Sequence, residues 1–464
     1  MTVYDRNEYI GGRSTTVYAY DDPSESVELG GSVFVKVNHN LMHAAKKFGL
    51  RLQEGHDSGD DKDIEDSIGV WDGETWRYIS PWDPTNGWWA GIKLIWQYGM
   101  APLRTNNLMK DTVGKFLKMY DQPNFPFKSL TRAVRDVGLA DTVAVPGDAY
   151  LSQNNIAGPF SEDIIQASTR VNYAQNLDSI HGVETMVCMA TDGAMSVAGG
   201  NWQIFASMLG HSGAQIFLNT TVTSIDRQDD GTYNLATQVD SNPLYASQPY
   251  DTVILASPFQ FANLTLNPPP VEPIPAIPYV KLHVTLFTSP YKLDPQAFNL
   301  PPTSSVPKMV LTTTHPRGTA PEYNSISLLR SIINPATQSK EYLYKVFSPA
   351  PASPAFLRQI LATPTLADGE ELHDDLVTWR HEKLWYSYPV EHPRVTFEET
   401  YYGLQGGGGV WYTSGIEGFI STMETSSLMG MNVARLIVDA WEEERRGGAG
   451  GALRKGQGKT QSEL

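Results

Sequence analysis

The chain has 464 residues, 41% of them hydrophobic, enough to bury a substantial core across two or three domains. Its formal net charge of −16 excludes nucleic acid as a partner, because phosphate binding wants a basic face. Cys188 is the only cysteine, which excludes an intrachain disulfide and a thiolate metal cluster and leaves the thiol as a small buried hydrophobe. As written, the sequence shows no export leader and no run of about 18 apolar residues, so the expectation is a chain neither exported nor membrane-spanning.

The opening predicts the second half of a dinucleotide-binding βαβ unit. Val3 and Tyr4 supply a strand and Asp5 its acidic end, where a carboxylate hydrogen-bonds the ribose hydroxyls of an adenosine. Gly11 and Gly12 let the backbone come close to a pyrophosphate, and Arg13 can pair with its charge. The same residues also suit an ordinary strand end followed by a glycine turn. The G-x-G-x-x-G turn expected about 20 residues earlier occurs nowhere in the sequence. Glu28-Leu29-Gly30-Gly31-Ser32 leads into a predicted helix whose Leu41, Ala44, Ala45 and Phe48 recur at three- and four-residue spacing, with Gly49 to end it. Gly30, Gly31 and Ser32 would present backbone amides to a flavin or phosphate, or would simply join strand to helix.

Residues 54–66 are acidic without apolar periodicity and predict a solvated loop. Residues 88–98 predict a helix that is aromatic nearly all round: core, the wall of an apolar pocket, or a face that touches a bilayer. Arg170-Val171-Asn172-Tyr173 closes a helical stretch, and Gly199-Gly200-Asn201 precedes a helix carrying Trp202, Phe205 and Leu209. Residues 221–225, a turn at Asp229-Asp230-Gly231 and a strand around Tyr233 predict a hairpin, which returns to the nucleotide half through the apolar run at 251–256. Val222 would pass near the adenine, although a β-branched strand residue needs no ligand to explain it. The proline-rich stretch 267–278 opens a second domain of strands and short helices that runs to about 393. A strand at 410–412, Gly415-Ile416-Glu417 and a helix over about 421–441 then place helix N-terminal amides beside a ligand. The tail from Glu442 is charged and glycine-rich and predicts disorder.

Several separated blocks together resemble the prenylcysteine oxidase family of flavoproteins, also called prenylcysteine lyases. They are the opening through Gly11-Gly12-Arg13, residues 28–33, Gly91-Ile92-Lys93-Leu94-Ile95-Trp96, Arg170 to Tyr173, Gly199-Gly200-Asn201, Lys345-Val346-Phe347-Ser348, Tyr388-Pro389, and Gly415-Ile416-Glu417 through Met423-Glu424. The resemblance implies an α/β fold: a Rossmann-like FAD-binding domain of the amine-oxidase type over 1–50, 186–266 and 394–441, without its first strand and G-x-G-x-x-G. An α+β substrate domain would come from insertions at 51–185 and 267–393, and a disordered tail from 442–464.

The implied cofactor is FAD, held by Asp5, Gly11, Gly12, Arg13, Gly30, Gly31, Ser32, Val222, Gly415, Ile416 and Glu417, with no metal. The implied reaction is oxidative cleavage of the thioether of farnesyl- or geranylgeranyl-cysteine to a prenyl aldehyde, cysteine and hydrogen peroxide. Its partners are the prenylcysteine and dioxygen, with a peripheral membrane contact and no obligate protein partner. Trp96 would wall the isoprenoid, and Asn172 and Tyr173 lie in the more specific block with Arg170. Arg170 would take the substrate carboxylate or, alternatively, bridge two helices. Hydride loss from a thioether needs no base, so no catalytic side chain is assigned, and His181 and His392 are read as structural or exposed. The family implies a lysosomal, vacuolar or secretory location, where the sequons at Asn219 and Asn263 would matter. Because family members carry a leader and a fingerprint strand that this sequence lacks, weak or absent FAD binding is expected. Two alternatives stand beside this one: another amine-oxidase-like flavoenzyme with an apolar substrate, and a non-catalytic remnant that binds lipid or protein.

Overall fold

The computed structural model describes residues 1–54, 64, 66–81, 94–240, 242–245, 248–314, 320–361 and 375–457. Most of the predicted loop at 54–66 and the first half of the predicted helix at 88–98 lie outside these.

The nucleotide half is built from short parallel pairs. Strand β1 (Thr2–Tyr4) runs parallel to β2 (Gln215–Phe217), and the Tyr4 ring stacks on Phe217 at 5.2 Å. Strand β3 (Ile254–Leu255) runs parallel to β4 (Gly409–Tyr412), whose other edge takes Tyr401–Gly403 antiparallel. Among the described residues β1 and β3 each pair along one edge only, so the expected parallel sheet stands as two pieces. A shared core joins them. Tyr4, Val222 and Val253 pack against Ile225, Leu255 and Tyr412, and the Tyr4 and Tyr250 hydroxyls hydrogen-bond at 2.8 Å. The predicted hairpin forms: Thr221–Arg227 pairs antiparallel with Tyr233–Val239, inside a four-stranded sheet.

Helix α1 (His39–Lys47) buries Leu41, Ala44 and Ala45, the apolar stripe its spacing predicts, and ends before Gly49 at φ +65°. Helices α2 (Gln166–Tyr173), α3 (Gly182–Met189) and α4 (Trp202–His211) follow. The last helix, α5 (Met423–Gln457), buries Leu428, Met429, Val433 and Ile437. It does not stop at Trp441. An i,i+4 pair, Arg446 to Glu442 at 3.2 Å, supports the helix where disorder was expected.

A seven-stranded sheet draws on both insertions. In spatial order its strands are Trp379–Pro389, Tyr279–Ser289, Lys340–Ser348, Ser325–Ile333, Met309–Thr312, Ser67–Trp71 and Trp76–Pro81. All neighbours are antiparallel except Met309–Thr312 and Ser67–Trp71, which run parallel. The period of two along each strand gives the sheet two apolar faces. One buries Phe287, Tyr344, Val346 and Val310. The other buries Leu282, Val284, Leu286 and Leu343 against Ala19, Val27 and Leu29 of the hairpin Thr16–Tyr18 and Ser26–Glu28. Leu29 immediately precedes Gly30, so this second face brings the sheet to the edge of the nucleotide half.

Candidate active site

The end of β1 is a formed acidic turn. Asp5 continues the strand through its amide to the Phe217 carbonyl at 2.9 Å. Its Oδ1 accepts from the Asn7 amide at 2.8 Å and from Asn7 Nδ2 at 2.9 Å, which holds the carboxylate against the turn that follows the strand. The following turn uses positive φ at both glycines, +122° at Gly11 and +58° at Gly12. A Cβ at Gly11 would lie 2.2 Å from the Ser14 carbonyl oxygen, whereas one at Gly12 would meet nothing within 4 Å. The Gly12 backbone therefore faces open space. Gly30 closes on the same turn, since its Cβ would sit 1.8 Å from the Arg13 carbonyl oxygen, and the Gly31 amide donates to that oxygen at 3.0 Å. Gly31 in turn abuts Met423, the first residue of α5.

Asn201 holds this second turn. Its Nδ2 donates to the Gly31 carbonyl at 2.9 Å, its Oδ1 accepts from the Val197 amide at 2.8 Å, and its own amide donates to Glu28 Oε1 at 2.6 Å. The Glu28 carboxylate thus lies at the N-terminus of α4, where negative charge is favoured. Across the junction, the buried ammonium of Lys345 donates to the Glu28 carbonyl at 2.7 Å. Burial raises the Glu28 carboxyl to about 7 and lowers the Lys345 ammonium to about 8.

Arg13 was expected to pair with a pyrophosphate, but its guanidinium is engaged by protein. Nη2 meets Glu417 Oε2 at 2.7 Å and Nη1 donates to the Ser387 carbonyl at 2.6 Å. The Tyr279 hydroxyl donates to the same Glu417 oxygen at 3.1 Å. Glu417 therefore ties the opening turn, the last buried turn before α5 and the seven-stranded sheet to one carboxylate. Gly415, Ile416 and Glu417 are all buried in that turn, Ser414–Gly418. The residues flanking these turns fit a polar cofactor: Ser14 Oγ, Glu28 Oε2 and Ser387 Oγ are buried without a partner, and the open side of Gly12 gives the backbone access a phosphate needs.

Beneath the start of α5 lies an acidic cluster that sequence reasoning missed. His181 caps α3, its Nδ1 accepting from the Glu184 amide at 3.1 Å. The proton of the neutral ring must then sit on Nε2, which faces Glu391 Oε2 at 3.6 Å. His181, Glu184 and Glu391 are at most 1% exposed. Burial depresses the imidazole to about 3, raises Glu184 to about 8 and raises Glu391 well above the ordinary carboxylate range. All three shifts favour the neutral forms, a neutral histidine beside carboxyl groups that keep their protons, over an ion pair. His181 and Glu184 are joined by the cap spacing of α3, but only proximity in space brings Glu391 to them, so no spacing could have marked the cluster.

The substrate-side expectations divide. Tyr173 is buried, packs its ring at a 58° tilt against Tyr388 with centroids 5.0 Å apart, and donates to the Ser421 carbonyl at 3.1 Å, just before α5. Arg170 is buried one turn earlier in α2. It does not bridge helices by a salt link. Asn172, on the opposite side of the helix, is exposed and bonds back to the Ser168 carbonyl at 2.9 Å. Trp96 is 88% exposed and so does not wall an apolar pocket; its helix ends at Gly99, which takes φ +62°. Val222 stays in the core beside Tyr4. His392 plays no part in these contacts.

The architecture matches solved amine oxidases. A putrescine oxidase is 13% identical with a TM-score of 0.52, covering 94% of this chain and 93% of its own. Cyclohexylamine oxidase from Brevibacterium oxydans is 14% identical with a TM-score of 0.52, covering 95% and 94%. The fold is thus that of the amine-oxidase class of flavin oxidoreductases, for which FAD is the cofactor. Residues 83–447 match the family model described as prenylcysteine lyase, and the chain belongs to that family. Its relatives include a farnesylcysteine lyase of Arabidopsis thaliana, 26% identical over 94% of this chain and 82% of that protein. Prenylcysteine oxidase 1 of Homo sapiens is 25% identical over 95% of this chain and 84% of its own length.

Proposed function

We propose that this protein oxidises the thioether of a prenylcysteine, releasing a prenyl aldehyde, free cysteine and hydrogen peroxide. The observation that carries the proposal is the convergence, within a member of this family, of the two glycine turns and the buried Gly415–Glu417 turn on the large sheet, through Arg13, Glu417, Tyr279 and Lys345. FAD, when bound, would accept the hydride from C1 of the prenyl group and hand the electrons to dioxygen. Asp5 would hold the ribose through its carboxylate, and the Gly11–Gly12 turn would face the pyrophosphate with backbone amides, while the Gly31 amide is taken by the Arg13 carbonyl. Glu417, Arg13 and Tyr279 would keep those turns in register with the sheet.

The substrate chemistry needs no protein base. C1 is allylic and adjacent to sulfur, so the cation left behind is delocalised. Water adds at C1, one proton is released, and the hemithioacetal collapses to aldehyde and thiol. The buried ring of Tyr173 and the partly buried ring of Tyr388 would exclude bulk water from one side of this junction. Three large apolar side chains near the Gly99 turn, Trp96, Met100 and Leu103, are exposed, and in this scheme they are where the protein meets the lipid surface that carries its substrate.

The test is to load the chain with FAD and offer S-farnesyl-L-cysteine, putrescine and cyclohexylamine in parallel, reading hydrogen peroxide and farnesal. Peroxide with stoichiometric farnesal from the thioether alone supports the proposal. Turnover of the amines without the thioether overturns it.

A further inference from the structure

Arg170 differs from four other arginines that are drawn into the fold and meet a carboxylate. Arg13, Arg77, Arg330 and Arg394 meet Glu417, Asp163, Glu25 and Glu398 respectively, at 2.7 to 3.1 Å. Arg170 is only 8% exposed, yet all its hydrogen-bond partners are neutral. Nε donates to Thr312 Oγ1 at 3.0 Å, Nη1 to Asn176 Oδ1 at 3.0 Å and Nη2 to the Tyr323 carbonyl at 3.4 Å. No carboxylate lies within ion-pair distance among the described residues. A guanidinium carries five N–H donors, so one further donor on each terminal nitrogen remains for a ligand. Burial alone lowers its pKa, to about 10, and no anion counters that shift. Burying a cation without a counter-charge is costly, and buried charges are as a rule paired or reserved for a ligand.

The position suits one part of the proposed substrate. Arg170 and Tyr173 sit three residues apart in α2, on neighbouring sides of one turn and roughly 4.5 Å apart along the axis. Tyr173 reaches Ser421 at the approach to α5, where the nucleotide half meets the sheet. In a prenylcysteine the α-carboxylate lies only a few bonds from the carbon that loses hydride, so an anion site one helical turn from that junction is at the right range. The planar guanidinium also matches a carboxylate held bidentately.

We propose that Arg170 is the binding residue for the α-carboxylate of the amino-acid end of the substrate, which makes the enzyme selective for free prenylcysteine over carboxyl-blocked forms. This rests on the function proposed above. The neutral ligands Thr312, Asn176 and Tyr323 orient the guanidinium without discharging it.

The FAD-loaded enzyme should be assayed with S-farnesyl-L-cysteine and with its carboxamide, in wild type, Arg170→Gln and Arg170→Lys. Binding of both compounds is measured separately by tryptophan fluorescence. Wild type should prefer the acid over the amide by about 30-fold or more, chiefly in KM. Arg170→Gln should lose that preference by weakening binding of the acid far more than binding of the amide. Arg170→Lys should restore part of it. A residue that only braces α2 against the sheet would depress both compounds alike, so an acid-to-amide ratio that survives in Arg170→Gln overturns the proposal. The ratio of dissociation constants decides the matter even if wild type oxidises neither compound, an outcome that would defeat the proposed function and not the anion site.

Discussion

At the scale of single residues, Glu417 and Glu184 make opposite use of burial. Glu417 is buried but satisfied, by Arg13 and Tyr279. Glu417→Gln keeps the shape and removes the charge, and should lower unfolding free energy by about 1–3 kcal/mol. The lower end is expected, because Arg13 is 35% exposed and regains water. Urea unfolding of the two proteins measures the difference. Glu184 is buried with one oxygen unpartnered, and its folded-state pKa is raised to about 8. The unfolded chain gives up this proton above roughly pH 4.5 while the folded one keeps it, so stability falls as pH rises from there to about 8. His181 acts in the opposite sense. Its folded value is depressed to about 3, so its contribution is lost as pH falls below roughly 6.5. Between about pH 6.5 and 8 the buried carboxyls act alone, and the unfolding free energy should drop by up to about 1.4 kcal/mol per pH unit per carboxyl. A Glu184→Gln variant should flatten that slope in urea titrations across the window, and an unchanged slope would mean that Glu184 is ionised at neutral pH.

At the scale of elements, the start of α5 serves the start of α1. Glu424 is buried, and its carboxylate accepts from the Asn40 amide at 2.9 Å, the Leu41 amide at 3.0 Å and the Tyr120 hydroxyl at 2.6 Å. Those amides belong to the first turn of α1 and have no partner within the helix. Asn38, at the cap position, offers no side-chain bond to it, so the cap is supplied from far along the chain. Glu424→Gln should cost about 1–2 kcal/mol, through loss of the charge at the helix N-terminus and an unmatched donor. Amide hydrogen exchange should quicken selectively in residues 39–47. Uniform quickening across the molecule would show that the contact is not local to α1. The presence of Glu424 in the most specific part of the family resemblance thus has a structural explanation that needs no ligand.

At the scale of the whole molecule, the nucleotide half is two sheet pieces joined through side chains, while the seven-stranded sheet is continuous. A ligand that bridges the β1 turn, the Gly30 turn and the start of α5 would couple these parts. Added FAD should therefore raise the melting temperature in proportion to the logarithm of its concentration, a stabilisation of about 2.7 kcal/mol at a hundredfold excess over the dissociation constant. Calorimetry with and without FAD measures this, with riboflavin as a control that lacks the pyrophosphate and adenosine. An equal response to riboflavin would take the Asp5 and Gly11–Gly12 turns out of cofactor binding, and no response to FAD would take the Gly30 turn and the start of α5 out of it as well.

What the sequence determined by itself was whatever is local. The apolar stripe of α1 and its glycine stop, the glycine turns, the hairpin near 221–239, the strand before Gly415 and the helix after it were legible because a helix or a turn is written in neighbouring residues. The fold class and the family followed from blocks of that kind. Only the tertiary structure decided the rest. It sent Arg13 to Glu417 across 404 positions and set Lys345 beside Glu28 across 317. It gathered His181, Glu184 and Glu391 under α5, left Arg170 buried without an anion and turned Trp96 out to solvent. The physical reason is common to all of these. A side chain's charge state and partner depend on burial and on which distant segments the fold brings within hydrogen-bonding range, and neither quantity has a period or a spacing along the chain.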